Sequence, residues 1–199
     1  MNRGERARAD ILDAAERLIA ERGAQVPLRD IALAAGHRNN SAVNYHFRNR
    51  EELIDAVVKR RLEPMERERA ELVAALDADE RADVTTWLRI MVVPLATTGS
   101  PCYAQFLQAV SWQLRAHVRD SHGAVWALVL ERLAAAIPAG DRATRGRRVQ
   151  AVGTTMFALL ADRERDSGAG ADVGSIEEII AILAAVLTAP IPAAKVSTT

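Results

Sequence analysis

Apolar residues recur with helical spacing almost from the start of the chain. Ile11, Leu12, Ala15, Leu18 and Ile19 fall at 0, +1, +4, +7 and +8, the stripe of an amphipathic helix. Gly23 stands where the C′ residue of such a helix takes a positive φ. Leu28, Ile31, Ala32 and Ala35, at 0, +3, +4 and +7, predict a second, shorter helix. Pro27 suits its first turn, where a missing N–H does no harm, and Gly36 stops it. Asn39 is placed to cap a third short helix over Asn40–Phe47. Val43 and Phe47 share one face of it, and Asn40, Ser41, Asn44 and Tyr45 point elsewhere. Asn49-Arg50-Glu51-Glu52 reads as a capping box with Asn as the cap. It opens a longer helix striped by Leu53, Ile54, Val57, Val58 and Leu62. Pro64 predicts a kink or a fresh start, with the helix resuming from Met65 to Leu76.

The rest of the chain repeats the helical period over Val84–Thr97, Cys102–Val118, Ala124–Ala136, Arg142–Arg163 and Ile176–Leu187. Turn signals separate these segments, and Ser175-Ile176-Glu177-Glu178 is a second capping box. Period-2 alternation with hairpin turns is not seen. The expected fold is all-α: an N-terminal three-helix helix-turn-helix domain over 1–48, and a helical effector-binding and dimerisation bundle over 49–199. Val149, Val152, Met156, Leu159 and Leu160 form one stripe near the end of the chain. Ile176, Ile179, Ile180, Leu183, Val186 and Leu187 form a wider one. Stripes this apolar call for a partner surface.

Composition narrows the classes. The chain has 199 residues, 49% of them apolar and only 4% aromatic. Its abundant Ala and Leu favour helices, because these side chains lose little entropy there. One cysteine excludes an internal disulfide framework and any site built from several thiolates. The start of the chain lacks an apolar secretory segment. The longest apolar run, Ile179–Leu187, is far short of the roughly twenty residues that cross a bilayer. These features imply a soluble, reduced, cytosolic protein with no membrane partner.

Lys+Arg and Asp+Glu balance at 26 each, but unevenly. Residues 1–60 carry 11 basic and 9 acidic side chains, a net +2. Residues 36–50 hold Arg38, Arg48, Arg50, two His and no acid. A local basic surface is what phosphate contact requires, whatever the total charge.

A long helix, a short helix, a glycine turn and a short polar-faced helix follow the order of a DNA-binding helix-turn-helix. The last helix of that motif enters the major groove. The chemistry suits that place: Asn reads adenine through paired hydrogen bonds, Ser reads several bases, and Arg takes guanine or phosphate. Asn40, Ser41 and Asn44 share one helix edge. Tyr45, His46, Arg48 and Arg50 carry donors suited to phosphates, and the helix start at Asn39–Ser41 offers free backbone N–H groups.

Three stretches carry a family resemblance. Arg8-x-x-Ile11-Leu12-x-Ala14-Ala15-x-x-Leu18-Ile19-x-x-x-Gly23 is followed by Leu28-Arg29-Asp30-Ile31-Ala32-x-x-Ala35-Gly36, then by Tyr45-His46-Phe47-x-x-Arg50-Glu51-x-Leu53. Over roughly residues 5–60 the sequence resembles the N-terminal domain of TetR/AcrR-type transcriptional regulators. The resemblance implies a homodimer bound to a palindromic operator on double-stranded DNA. It also implies a small-molecule effector in the C-terminal helices and dimerisation through the last two long helices as a four-helix bundle. The candidate DNA-binding set is Arg29, Arg38, Asn39, Asn40, Ser41, Asn44, Tyr45, His46 and Arg50. Three details depart from the family's usual form. The turn after Gly36 is one residue longer, Asn44 holds the usual place of the Tyr, and Pro27 stands near a frequent Thr cap.

Other chemistry is thinly represented. His37 and His46 lie nine apart and His117 and His122 five apart, neither at the i,i+4 spacing that puts two imidazoles on one face. No metal site or cofactor is expected. Cys102 falls just inside a predicted helix start, where thiolate character rises, so redox sensing stands beside an ordinary buried thiol. No hydrolase or phosphate-loop motif occurs, so no enzyme is expected. Arg142, Arg145, Arg147 and Arg148 read as a solvated helix start rather than a second anion site. Trp87, Met91, Phe106 and Trp126 are candidates to line an effector cavity, against the alternative of core packing. A ligand-responsive repressor is the expectation; the alternative is a helical ligand-binding or protein-interaction module that binds no specific DNA.

Overall fold

The computed structural model describes residues 2–190 except 78, 81, 82, 122, 139 and 170–173; the side chains of 114–121 and 169 also lie outside the description. Among the described residues there are nine α-helices and no strand. They are α1 (Arg3–Arg22), α2 (Leu28–Ala34), α3 (Ser41–His46), α4 (Arg50–Ala74), α5 (Val84–Ala96), α6 (Tyr103–Ser121), α7 (Ala124–Ala136), α8 (Arg142–Ala169) and α9 (Ile176–Thr188).

α1 begins two turns before its apolar stripe. Asn2 Oδ1 accepts from the Glu5 N–H at 2.9 Å, and Glu5 Oε2 accepts from the Asn2 N–H at 2.7 Å. This reciprocal cap, rather than burial, holds the polar first turns. Ile11, Leu12, Ala15, Leu18 and Ile19 are buried where α1 meets α2, α3, α4 and α6. Pro27 sits at the N-cap of α2 in extended conformation, one place before the first turn expected for it. Its carbonyl accepts from Asp30 and Ile31, which its fixed φ permits. α2 ends in a Schellman turn: the His37 N–H reaches Ala32 O at 2.9 Å and the Gly36 N–H reaches Leu33 O at 3.0 Å. Gly36 has φ +80 and nothing within 4 Å of a built Cβ, so only backbone conformation demands glycine there.

α4 runs on through Pro64 without the restart that was one of the two expectations there. Pro64 is solvent-exposed, so its ring removes one backbone donor without displacing a packed neighbour. The first part of α4 packs on α1, and the helix goes on to α5 and α7. α8 continues beyond Arg163 because its last polar turns are tied down. Glu164 accepts the N–H groups of Ala104 (2.8 Å) and Gln105 (2.9 Å), capping α6. Arg148 donates to the carbonyls of Leu187 and Ala189 and so caps the end of α9. This member of the basic cluster is therefore a helix cap rather than part of a free solvated start.

The apolar stripes of α8 and α9 are mostly consumed inside the chain. Val152, Met156, Leu160, Ile179, Ile180, Leu183 and Leu187 are buried, because α9 lies against both α5 and α8. Their own neighbours thus supply most of the partner surface that the sequence called for. Ile182 stays 41% exposed, flanked by partly buried Val186.

Candidate nucleic-acid interface and core cavity

α3 is held by what it turns inward. Val43 and Phe47 are buried against α1 and α2, and the Arg8 guanidinium lies over the Phe47 ring at 5.2 Å. The opposite face is left to solvent: Arg38, Asn39, Asn40, Ser41, Asn44 and Tyr45 are all exposed, Tyr45 at 85%. Asn39 Oδ1 accepts from the Ser41 N–H at 2.9 Å, one place earlier than the cap position, which Asn40 occupies with no side-chain bond of its own. The Tyr45 ring meets His46 edge-on at 5.0 Å, and His46 is half-buried. Arg29 projects from the exposed side of α2. Seven of the nine candidate positions are therefore exposed, six of them on α3 or the turn that leads into it.

Arg50 is one of the two exceptions. Its Nη1 donates to the carbonyls of Ala24 (3.0 Å) and Val26 (2.5 Å), and the side chain is half-buried. Through Nη1, Arg50 is thus a latch from the start of α4 to the α1–α2 loop. The physical reason is local: two turn carbonyls lacking helix partners lie within reach and take the guanidinium's hydrogens. Asn49 Oδ1 accepts from the Glu52 N–H at 2.8 Å as the capping box predicts. Glu52 Oε2, however, accepts from the Arg48 N–H at 2.8 Å rather than from Asn49.

A second cluster joins this head to the body of the molecule. Glu16 of α1 is 2% exposed. It accepts from Arg60 Nη2 (2.8 Å), Arg61 Nε (3.1 Å), Arg61 Nη2 (3.0 Å) and Ser100 Oγ (2.5 Å). Burial works to raise its pKa, but the bonds from Arg61, Ser100 and Arg60 prevail and hold the carboxyl below the usual glutamate range. Arg60 also meets Asp13 at 2.7 Å. Sequence patterning did not reveal this cluster, although Glu16 at +4 from Leu12 is an acid in an apolar register.

The body contains a small, partly open void among α4, α5, α6, α7 and α8, about 40 Å³ in volume. Leu62, Met65, Tyr103, Leu107, Trp126 and Phe157 contribute to its wall, together with Arg69. Arg69 is 2% exposed and lies over the Trp126 ring at 4.7 Å. Of the four expected pocket residues, Trp126 alone lines this void. Trp87, Met91 and Phe106 are 2%, 1% and 0% exposed and belong to the packed core away from it. Cys102 precedes α6 instead of lying in its first turn, and burial pushes its thiol pKa up, which removes the basis for a reactive thiolate. No group of three or more metal-ligating side chains occurs among the described residues. The His117 side chain and His122 lie outside them. Among the described residues no helix is long and apolar enough to cross a membrane.

With α3 outward-facing on a two-helix support, the match with known families becomes interpretable. Residues 11–57 match the model of the bacterial regulatory proteins of the tetR family. Over those residues the N-terminal helices are similar to that family. The tetR-type region thus spans α1 to α3 and the first turns of α4, which includes the Arg50 latch. No curated protein matches the chain significantly. Solved structures do. One from Rhodococcus sp. RHA1, described as a transcriptional regulator, is 22% identical, with 92% of this chain and 96% of that chain covered and a TM-score of 0.49. NalD, the secondary repressor of the MexAB-OprM multidrug efflux pump of Pseudomonas aeruginosa, is 20% identical, with 94% and 96% covered and a TM-score of 0.49.

Proposed function

We propose that the protein is a homodimeric, ligand-responsive transcriptional repressor that holds a palindromic operator with α3 in the major groove. The supporting observation is the division of α3 into a buried anchor, Val43 and Phe47, and an exposed face of Ser41, Asn44 and Tyr45. Asn44 and Ser41 are the base-reading pair in this reading, with Asn40 beside them. Arg29, Arg38, Tyr45 and His46 serve phosphates. Arg50 acts indirectly, by fixing the loop under α2 to α4. The DNA-binding unit is residues 1–48, and the bundle over 49–199 carries dimerisation and the effector. Dimerisation uses the outward side of α8 and α9 around Ile182. An effector entering beside Trp126 shifts α4, and through Arg60 and Arg61 that shift reaches Glu16 in the head. Catalysis has no part in this reading.

The test is footprinting and gel-shift titration on DNA upstream of the protein's own coding region. A protected palindrome is expected, with affinity falling steeply as salt rises, since much of it comes from phosphate contacts. Asn44→Ala should lose about 1–3 kcal/mol on the operator and little on random DNA. Equal losses on both sequences would remove its base-reading role.

A further inference from the structure

Among the described residues only two charged side chains are buried, Glu16 and Arg69. Glu16 is saturated with donors. Arg69 has a single oxygen acceptor. Its Nη1 reaches Glu66 Oε1 at 3.3 Å, and its Nη2 meets only the Met65 thioether at 3.9 Å. Its buried Nε has no hydrogen-bond partner. The edge of the guanidinium formed by Nε and Nη2 is the one that receives two carboxylate oxygens side by side. Here that edge carries no oxygen. Arg69 also borders the 40 Å³ void, with room for about three water-sized groups, the size of a carboxylate.

Glu66 does not neutralise the site fully. Its other oxygen, Oε2, accepts the N–H groups of Val125 (3.0 Å) and Trp126 (3.3 Å) at the start of α7. One carboxylate is therefore shared between a guanidinium and a helix N-terminus with its own partial positive charge. A single further negative charge fits such a site. A doubly charged phosphate does not, in a wall of Leu62, Leu107 and Phe157.

We infer that the effector is an apolar monocarboxylate whose carboxylate seats on the Nε/Nη2 edge of Arg69, with its apolar body against Trp126. This rests on the reading of the bundle as an effector-binding unit and specifies its ligand. Tyr103, whose hydroxyl burial keeps protonated, supplies a further donor on the wall. The buried Nε is reached only as the wall of the pocket opens. The body of the ligand takes its room by displacing Trp126, which is only partly buried.

Calorimetric titration of the full chain with two matched probe pairs tests this: octanoate against octanamide, and phenylacetate against phenylacetamide. At least one carboxylate should bind tenfold or more tightly than its amide. Arg69→Met should bring that pair within about twofold. In ¹⁵N-labelled protein, the Arg Nε–H resonance that is missing from Arg69→Met should shift with the carboxylate and stay in place with the amide, a readout that does not require the variant to bind. The inference is overturned if neither carboxylate outbinds its amide, if the preference survives Arg69→Met, or if no probe binds. Operator release is scored separately. Carboxylate binding without release leaves the anchor standing and removes the effector reading. Release by amides as readily as by carboxylates does the reverse.

Discussion

Glu16 and Arg69 are equally inaccessible to water, yet their surroundings differ in kind. The carboxylate of Glu16 takes four hydrogen bonds from three residues that lie far along the chain, two on α4 and one before α6. The guanidinium of Arg69 finds one oxygen, on its own helix, and borders a void. A buried charge whose valences are all used acts as a rivet between the elements that supply its partners. One left incomplete keeps a desolvation cost that a ligand of opposite charge can offset. The first joins head to body, and the second borders the void within the body.

Substitutions should separate the two behaviours. The largest effect is expected for Glu16→Gln. Removing one member of a buried ionic cluster leaves the others uncompensated, and a loss of about 3 kcal/mol in urea unfolding is expected. That value is the lower end of the usual range because Arg60 and Arg61 side chains are 27% and 26% exposed and water recovers part of their charge. An unchanged midpoint would mean that the cluster joins nothing.

Arg50→Ala is intermediate. It strips the Ala24 and Val26 carbonyls of a charged donor, worth about 2 kcal/mol. Because it loosens the support of α3, it should weaken operator and random DNA together; a loss confined to the operator would restore a direct reading role. Arg69→Met should be the mildest, within about 1 kcal/mol of wild type in either direction, since an apolar side chain of similar length replaces a charge that was poorly compensated. A loss as large as that of Glu16→Gln would erase the distinction.

Acid titration supplies a fourth check. The pKa of Glu16 is lowered in the fold, so its stabilising contribution is complete above the unfolded glutamate value of about 4.3 and is lost as pH falls through the folded value below that. Glu164 behaves oppositely, with burial raising its pKa despite the bonds from Ala104 and Gln105. The folded state therefore takes up its proton first, and acidification through that range favours the fold. Unfolding midpoints between pH 6 and pH 3 should fall less steeply in Glu16→Gln than in wild type, and more steeply in Glu164→Gln.

Most of the fold was legible because helices state themselves locally. Stripes at 3.6 spacing, Asn49 and Ser175 as caps, and Gly36 as a positive-φ stop each depend on neighbours a few residues away. The outward face of α3 was legible for the same reason: two apolar residues at i,i+4 leave the remaining side chains only solvent to face. Partnerships across long stretches of chain were not legible. Arg50 was assigned to phosphate because its carbonyl acceptors lie 24 and 26 residues away. Trp87, Met91 and Phe106 were placed in a pocket because a pocket wall and a core ask for the same side chains. One clue did lie in plain view. Val58, Leu62, Met65, Arg69, Leu72 and Leu76 follow at 0, +4, +7, +11, +14 and +18, an apolar register with one cation in it.

Pro64 sits between the two halves of that story. The ring leaves the carbonyl of Arg60 without its usual i+4 donor, so the hydrogen-bond ladder of α4 has a missing rung between Arg60–Arg61 and Met65–Arg69. Hydrogen exchange should therefore show the backbone amides on the two sides of the gap opening as separate blocks. The helix is continuous in outline, and the missing rung falls between the charges that meet Glu16 and the charge that borders the void.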